Sequence, residues 1–372
     1  MPSNNSVFDV CTVARDIVLI IGSLPRCGKF SQNTTTSGAS ARSGTQPIRL
    51  TAYTNSCSGC IRAYLGGVAL EIIMSVTQLR TRGAVSPAPR VTAETLLQKK
   101  LANQPITAIT AYDYPTARLL DEAGIDLVLV GDSLGMVVLG YENTLPVTLD
   151  EILHHTRAVA RGLRHSFLVA DMPYGSYHSS LDDAMRNALR FIKEAGAQAV
   201  KIEGGAQRAE LVKQLTAAEI PVVAHIGLTP QSVHSMGGYR VQGKSLAAID
   251  RLTADARALE DAGAVAIVLE GIPRELATII TSQSGIPTIG IGAGPDCDGQ
   301  ILVFHDLFNL TFSPAAKFTR QYADGAAFFA EALAQYRDDV AAHRFPSDEE
   351  SYHLPREVQT ALASAQPRVR KA

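Results

Sequence analysis

Eight short apolar runs follow one another along this chain, and amphipathic stretches separate most of them. The runs occupy residues 106–112, 127–132, 167–173, 199–205, 221–226, 266–270, 288–294 and 301–306. Helical periodicity marks the intervening residues 114–123, 149–163, 182–195, 208–218, 247–262 and 274–282. Eight strands that alternate with helices predict an α/β fold of the (β/α)8 type, a TIM barrel.

An open doubly wound sheet is the competing fold for such an alternation. The barrel is favoured because no G-x-G-x-x-G motif follows the first run and because the runs number eight. The gap between the seventh and eighth runs is too short for a full helix, which is an irregularity in the pattern. A further amphipathic helix is predicted at residues 93–103, ahead of the first strand.

The composition of the chain changes near residue 90. Residues 1–80 contain seven Lys or Arg against three Asp or Glu, with a tract rich in Ser, Thr, Asn and Gly from 31 to 45. We therefore predict a poorly ordered extension over residues 1–90, the barrel over 91–350 and a C-terminal tail over 351–372. The extension is either an organelle transit segment or a region upstream of a mis-assigned start, with Met74 closer to the true one.

The net charge and the length of the apolar runs exclude two classes of partner. The formal net charge of −2 gives no sign of a nucleic-acid partner, and no apolar run is long enough to span a membrane.

Four of the five cysteines lie in the first sixty residues, so only Cys297 lies beyond them. The barrel therefore has no disulfide framework. We expect a cytoplasmic protein, or a mitochondrial one if the extension is a transit peptide.

Polar side chains stand at the end of nearly every apolar run. They are Asp113, Asp132 with Ser133, Asp171, Lys201 with Glu203, His225, Glu270 and Asp306. In a (β/α)8 barrel the carboxyl ends of the strands converge on one mouth, where active sites are built. Each residue alone is more often a loop cap or a structural hydrogen bonder. Their recurrence from strand to strand predicts a functional site at that mouth.

Residues 200–205 combine buried-strand character with charge. Lys201 and Glu203 alternate with Val200 and Ile202, so the two charged side chains point to the same face of their strand. Charges that face a core are costly unless they pair, bind a metal or hold a ligand. A structural ion pair and a working site stay equally open on this segment alone.

Asp132, Asp171 and Glu203 supply hard oxygen ligands from three successive strands. Such a set suits Mg²⁺ or a similar ion, which usually keeps water or substrate oxygens in its other positions. The barrel sequence has no HExxH motif and no Cys/His cluster, which disfavours zinc hydrolysis. It also lacks a G-x-S-x-G elbow, so serine hydrolase chemistry has no support.

Ten segments, in order, resemble the ketopantoate hydroxymethyltransferase family. They are 109–113 (ITAYD), 130–135 (VGDSLG), 144–148 (TLPVT), 170–173 (ADMP), 200–205 (VKIEGG), 225–232 (HIGLTPQS), 237–243 (GGYRVQG), 268–270 (VLE), 289–294 (IGIGAG) and 298–302 (DGQIL). The resemblance spans the whole inferred barrel. It implies an enzyme that transfers a hydroxymethyl group from 5,10-methylenetetrahydrofolate to 3-methyl-2-oxobutanoate. The product would be 2-dehydropantoate, in the first step of pantothenate biosynthesis.

The same resemblance implies which residues bind metal and substrate. Asp132, Asp171 and Glu203 would surround Mg²⁺. Ser133, Lys201 and the two aspartates would contact the 2-oxo acid. On this reading Lys201 and Glu203 are two separate parts of one site rather than each other's partners.

Glu270 would be the proton acceptor by the same resemblance, and His225 would lie at the site without a firm role. The resemblance also implies a homo-oligomer, a decamer. Two positions depart from the family pattern: Gly271 stands where cysteine is frequent, and Asn309 where glycine is common. Neither position carries one of the implied roles.

Two other functions compete with this one. A Mg²⁺-dependent lyase or mutase of the phosphoenolpyruvate mutase and isocitrate lyase group would share the barrel and the recognition of oxo acids. Such enzymes usually present a loop cysteine, whereas Cys297 lies in another context. A non-catalytic binding protein is the second alternative, and the complete set of implied catalytic residues argues against it.

Overall fold

A computed structural model of the chain describes residues 52–54, 60–65, 68–73, 89–312 and 314–365. The chain divides into two compact units, Met1–Ala84 and Val85–Ala372. In the first unit, strands β1 (Ala52–Thr54), β2 (Cys60–Leu65) and β3 (Val68–Ile73) pair as an antiparallel sheet in the order β1-β2-β3. These strands lie in the segment predicted to be poorly ordered. Met74 lies outside the described residues.

The second unit contains a closed barrel of eight parallel strands. They are β4 (Ile106–Thr110), β5 (Leu127–Val130), β6 (Phe167–Asp171), β7 (Ala199–Glu203), β8 (Val222–Gly227), β9 (Ala266–Glu270), β10 (Thr288–Ile291) and β11 (Gly299–Leu302). Around the barrel the order is β10-β11-β4-β5-β6-β7-β8-β9. The predicted TIM barrel is confirmed.

Helices follow most of the strands and cover the barrel. The α-helices are α1 (Ala93–Leu101), α2 (Tyr114–Ala123), α3 (Leu134–Val137), α4 (Leu149–Gly162), α5 (Leu181–Arg190), α6 (Ala209–Ala217), α7 (Val233–Met236), α8 (Leu246–Asp261), α9 (Arg274–Gln283), α10 (Phe304–Leu307), α11 (Gly325–Ala341) and α12 (Arg356–Ala365). Short turns of 3-10 or π helix extend α5, α6 and α7. Helix α1 confirms the helix predicted ahead of the first strand, and α12 lies in the predicted C-terminal tail.

The irregularity between the seventh and eighth strands is real, because no helix lies between β10 and β11. The end of the eighth predicted run is wrong, however. Strand β11 stops at Leu302, and Phe304 begins the short helix α10, where its backbone N–H donates to Thr110 Oγ1 at 3.0 Å. Asp306 therefore lies on a helix rather than at a strand end.

Alternation along each strand divides the apolar side chains into two layers. Inward residues such as Leu127, Leu129 and Val169 belong to the buried cluster that fills the barrel, together with Leu96 from α1. Outward residues such as Val128 belong to the larger cluster between strands and helices. Strand side chains alternate with a period of two, so one face of every strand must fill the interior.

Helix α1 is fixed to the amino-terminal end of the barrel by two lysines. Lys99 Nζ lies 2.5 Å from Asp126 Oδ1, and Lys100 Nζ lies 2.8 Å from Asp298 Oδ2. Asp298 Oδ2 also accepts hydrogen bonds from the backbone N–H and the hydroxyl of Thr288, at 2.8 and 3.0 Å. A single largely buried carboxylate thus satisfies three donors from two elements.

Replacing Asp298 with alanine is expected to lower the free energy of unfolding by about 2–3 kcal/mol, because three donors lose a poorly solvated acceptor. Chemical denaturation followed by circular dichroism measures the change. Asp296→Ala is the matched control two residues away. Its ion pair with Arg274 is exposed, so its loss is expected to cost less than about 1 kcal/mol. Equal losses in the two variants would contradict the role given to Asp298.

Asn309 explains one departure from the family pattern. Its φ is 54°, in the left-handed region, which asparagine tolerates better than most residues other than glycine. Asn309 also donates through Nδ2 to Asp324 Oδ1 at 2.9 Å.

None of the helices in the described part of the chain is long and apolar enough to cross a membrane.

Candidate active site

The predicted site residues of β6–β9 face inward at the carboxyl-terminal ends of their strands. Asp171, Lys201, His225 and Glu270 continue the inward series because each stands two positions after an interior residue such as Val169 or Val268. The strand register places Asp171 beside Lys201, Glu203 beside His225, and Gly227 beside Glu270. The fold thus gathers these side chains at the carboxyl-terminal mouth, as predicted.

Lys201 lies among acidic side chains. Its Nζ is 2.8 Å from Asp171 Oδ1 and 3.9 Å from Glu203 Oε1. Burial alone would lower the pKa of Lys201, but Asp171, Glu203 and Asp132 outweigh burial and raise it. Lys201 therefore stays protonated and supplies a fixed positive charge in the barrel interior.

His225 connects the two glutamates of the cluster. Its Nδ1 lies 3.3 Å from Glu203 Oε1 and 3.3 Å from Lys201 Nζ, and its Nε2 lies 3.3 Å from Glu270 Oε2. Burial and Lys201 lower the pKa of His225, but Glu203 and Glu270 together raise it to about 9. The structure thus places His225 between the predicted base and the predicted metal set.

The two aspartates are neighbours, and Asp171 is also the ion-pair partner of Lys201. The backbone N–H of Asp132 donates to Asp171 Oδ2 at 2.9 Å, and both side chains are buried. Burial raises the pKa of Asp132, and the charges of Asp171 and Glu203 raise it further. Burial also raises the pKa of Asp171, although Lys201 partly offsets this effect. Two buried carboxylates at close range are stabilised by a cation between them.

Glu203 differs from the two aspartates. Its Oε2 accepts a hydrogen bond from the backbone N–H of Gln231 at 3.0 Å, and its Oε1 faces His225. Burial raises the pKa of Glu203, but His225, Lys201 and the Gln231 N–H outweigh burial and lower it. Glu203 is therefore a satisfied carboxylate that the protein itself keeps ionised.

The two aspartates are the part of the site whose donor chemistry suits a hard cation. Among the described residues, no group of three His, Cys, Asp or Glu side chains is arranged to hold a metal ion. Asp171 Oδ1, however, is buried without a hydrogen bond of good geometry, although Lys201 Nζ is near it. Mg²⁺ is commonly held by one or two carboxylates, with water and substrate oxygens completing its shell. The pair meets this requirement, and direct ligation by Glu203 stays a prediction.

Ser133 lies at the start of α3, and the hydroxyl of Tyr112 holds its side chain. The two oxygens are 2.8 Å apart. Burial raises the pKa of Tyr112, so its phenol stays neutral and can hydrogen-bond with the Ser133 hydroxyl. Tyr112 follows β4 in the ITAYD segment, and nothing in its residue type separated it from an ordinary core aromatic.

Two of the strand-end residues serve other purposes. Asp113 is the N-cap of α2 and accepts a hydrogen bond from the Thr116 N–H at 2.8 Å. Asp306 accepts a hydrogen bond from the Thr311 hydroxyl at 2.7 Å. For these two residues the loop-cap and structural interpretations, and not the functional one, match the contacts.

Fold and site together define the class of protein. A closed (β/α)8 barrel whose mouth carries three carboxylate groups, an ammonium and an imidazole linked by ion-pair contacts is built as an enzyme. The sequence model of the ketopantoate hydroxymethyltransferase family matches residues 90–348. The chain belongs to this family of transferases.

Individual relatives agree with this assignment. A protein of Koribacter versatilis (strain Ellin345) is 64% identical over 279 residues, which cover 75% of this chain and 95% of that protein. A protein of Carboxydothermus hydrogenoformans (strain ATCC BAA-161 / DSM 6008 / Z-2901) is 54% identical over 269 residues, covering 72% and 98%. Both are named 3-methyl-2-oxobutanoate hydroxymethyltransferase.

Solved structures add little to the choice of function. Phosphoenolpyruvate phosphomutase from Streptomyces platensis subsp. rosaceus aligns with a TM-score of 0.46 and 15% sequence identity, over 73% of this chain and 95% of that one. A likeness of this size carries no argument about the lyase or mutase alternative.

Cys297 does not present a reactive thiol, because it is partly buried and burial raises its pKa.

Proposed function

We propose that this protein transfers a hydroxymethyl group from 5,10-methylenetetrahydrofolate to 3-methyl-2-oxobutanoate, giving 2-dehydropantoate for pantothenate biosynthesis. The observation that carries the proposal is the match to relatives with this activity in their name over nearly their whole length. The clustered Asp132, Asp171, Lys201, Glu203 and Glu270 support it, because each suits a step of this reaction.

Asp132 and Asp171 would hold Mg²⁺ in this proposal, and Glu203, the third predicted ligand, lies in the same acidic cluster. When bound, Mg²⁺ supplies a Lewis acid for the carboxylate and keto oxygens of the 2-oxo acid. Ser133 and Lys201 orient the substrate beside the two aspartates. The Lys201 ammonium, which the acidic cluster keeps charged, stabilises the negative charge that develops on the keto oxygen when the C3 proton leaves.

Glu270 is the proton acceptor in this proposal. It stands at the end of β9, and its side chain is 17% exposed, whereas those of Asp171, Lys201, Glu203 and His225 are at most 6% exposed. A base has to come within hydrogen-bond reach of the proton that it removes, so the most accessible carboxylate of this group suits the role. His225, at 3.3 Å from Glu270, orients the base.

One assay tests the proposal. The full-length protein is given 3-methyl-2-oxobutanoate and Mg²⁺, with and without 5,10-methylenetetrahydrofolate, and 2-dehydropantoate is measured. We expect product only when Mg²⁺ and the folate are both present. Folate-independent consumption of the oxo acid would instead indicate a lyase or mutase, and no consumption with retained oxo-acid binding would indicate a binding protein.

A cytoplasmic homo-oligomer, a decamer, is part of the proposal. Helix α11 has no buried residue along its length and exposes Phe328, Phe329, Leu333 and Tyr336. A single chain leaves this apolar surface in water, and a second copy would cover it. Native mass spectrometry of the full chain tests the assembly, and a monomer at micromolar concentration would contradict it.

A further inference from the structure

Gln231 is a buried amide in the candidate site, within the segment 225–232 but not among the predicted site residues. It lies in the turn Pro230–Ser232 after β8 and is 5% exposed. A buried primary amide has two N–H donors and one carbonyl acceptor to satisfy, and an unpaired one is costly. The partners of Gln231 therefore show what its position requires.

The hydroxyl of Tyr177 fixes the orientation of this amide. It accepts a hydrogen bond from the Glu203 N–H at 3.1 Å, so its own proton has to go to another acceptor. Gln231 Oε1 is the nearer of two acceptors, at 2.6 Å, and the Glu203 carbonyl oxygen lies at 3.4 Å. The amide nitrogen then faces Asp132 Oδ2 at 2.9 Å and the Met172 carbonyl at 3.1 Å. Rotating the amide by 180° would place its carbonyl oxygen against the Met172 carbonyl, which cannot donate, and would lose the bond that Tyr177 donates to Oε1.

Gln231 thereby holds two acidic side chains from different parts of the barrel. Its side-chain nitrogen donates to Asp132, which follows β5, and its backbone N–H donates to Glu203 Oε2 on β7 at 3.0 Å. Tyr177 is itself held from outside, since the Arg208 guanidinium lies 4.9 Å from the centre of its ring. The chain of contacts runs from Glu203 through Tyr177 and Gln231 to Asp132.

We propose that Gln231, held in one orientation by Tyr177, is the positioning residue for Asp132 in the metal- and substrate-binding site. By engaging Oδ2 it fixes the orientation of the Asp132 carboxylate, and Oδ1 would be the oxygen left for a cation. Its hydrogen bonds go to Asp132, Glu203, Met172 and Tyr177 and not to Glu270, so it would act through Asp132. This inference rests on the proposed function, because it assumes that Asp132 and Asp171 bind Mg²⁺.

The test compares Gln231→Met with Tyr177→Phe. Binding of Mg²⁺ to the full-length protein is measured by isothermal titration calorimetry, and binding of Mn²⁺ by electron paramagnetic resonance. Gln231→Met keeps the side-chain length and removes the amide, so we expect metal affinity to fall about 10- to 100-fold, as for other groups that orient metal ligands. Tyr177→Phe keeps the ring and frees the amide to turn, so we expect a smaller loss in the same direction.

The double variant distinguishes positioning from general stability. If Tyr177 acts only by orienting Gln231, the double variant binds metal no more weakly than Gln231→Met alone, a non-additivity that independent structural defects would not give. Gln198→Leu is the matched control. This half-buried amide lies at the other end of β7 and contacts the Leu168 N–H, and its loss should leave metal affinity unchanged.

The outcomes separate this inference from the function on which it rests. Unaltered protein that binds no Mg²⁺ would overturn the proposed metal site. Unaltered protein that binds Mg²⁺, together with variants whose affinity stays within about twofold of it, would overturn the positioning role alone. Should Gln231→Met fail to fold, the near-isosteric Tyr177→Phe still decides: unchanged metal affinity in that variant contradicts the inference.

Discussion

Replacing Glu270 with glutamine is expected to abolish turnover of 3-methyl-2-oxobutanoate while leaving its Mg²⁺-dependent binding largely intact. The amide has the volume of the carboxylate but cannot accept the C3 proton. A positioned general base contributes about 10²- to 10⁴-fold, so kcat should fall by at least the lower figure. His225 Nε2 lies 3.3 Å from Glu270 Oε2, and a glutamine of nearly the same shape can stay beside it.

Two measurements separate loss of the base from loss of the site. Isothermal titration calorimetry with Mg²⁺ and the oxo acid reports binding. Exchange of the C3 proton for deuterium, followed by NMR in the absence of folate, reports proton removal. We expect binding to persist and exchange to stop. Glu275→Gln, at an exposed position on α9, is the control and should keep both. Near-normal activity of Glu270→Gln would show that another group is the base.

The barrel could be predicted because each of its strands corresponds to a short apolar run in the sequence. A run such as 127–130 (LVLV) is apolar on both faces, as strands covered inside and outside must be. The strand predicted over residues 303–306 was wrong because a contact between distant residues decides the structure there. Phe304 is apolar enough to continue a strand, but its N–H pairs with the Thr110 hydroxyl, a contact between residues far apart in the chain. No local pattern reports such a contact.

The site could be predicted only in part, for a related reason. Lys201 and Glu203 were visible because a charge in an apolar strand requires an explanation. Gln231 and Tyr112 were not, because an amide or a phenol near a loop is common, and only the fold shows that each meets a site residue. Glu203 illustrates the remaining limit. Its residue type suits a metal ligand, yet its oxygens are engaged by His225 and the Gln231 N–H.

Replacing Lys201 with methionine is expected to lower both the stability of the metal-free protein and kcat, and added Mg²⁺ should restore only the stability. This difference decides whether Lys201 is a structural residue or part of the chemistry. In the metal-free protein, removal of one partner from a buried ionic cluster leaves Asp171, Asp132 and Glu203 with less compensating charge. The free energy of unfolding should fall by about 3–5 kcal/mol. Added Mg²⁺ should restore stability to a greater extent than in the unaltered protein, since the variant site is more negative and binding stabilises the folded state.

Activity should not recover with stability. With Mg²⁺ saturating and the protein folded, kcat should stay about 10²- to 10³-fold low, the size of loss seen when a donor to developing negative charge is removed. Lys100→Met is the matched control, because Lys100 also pairs with a largely buried aspartate, Asp298, but at the other end of the barrel. That variant should lose stability and keep kcat. If Lys201→Met behaved likewise, Lys201 would be a structural counter-ion of Asp171; only the persistent loss of kcat makes it part of the chemistry.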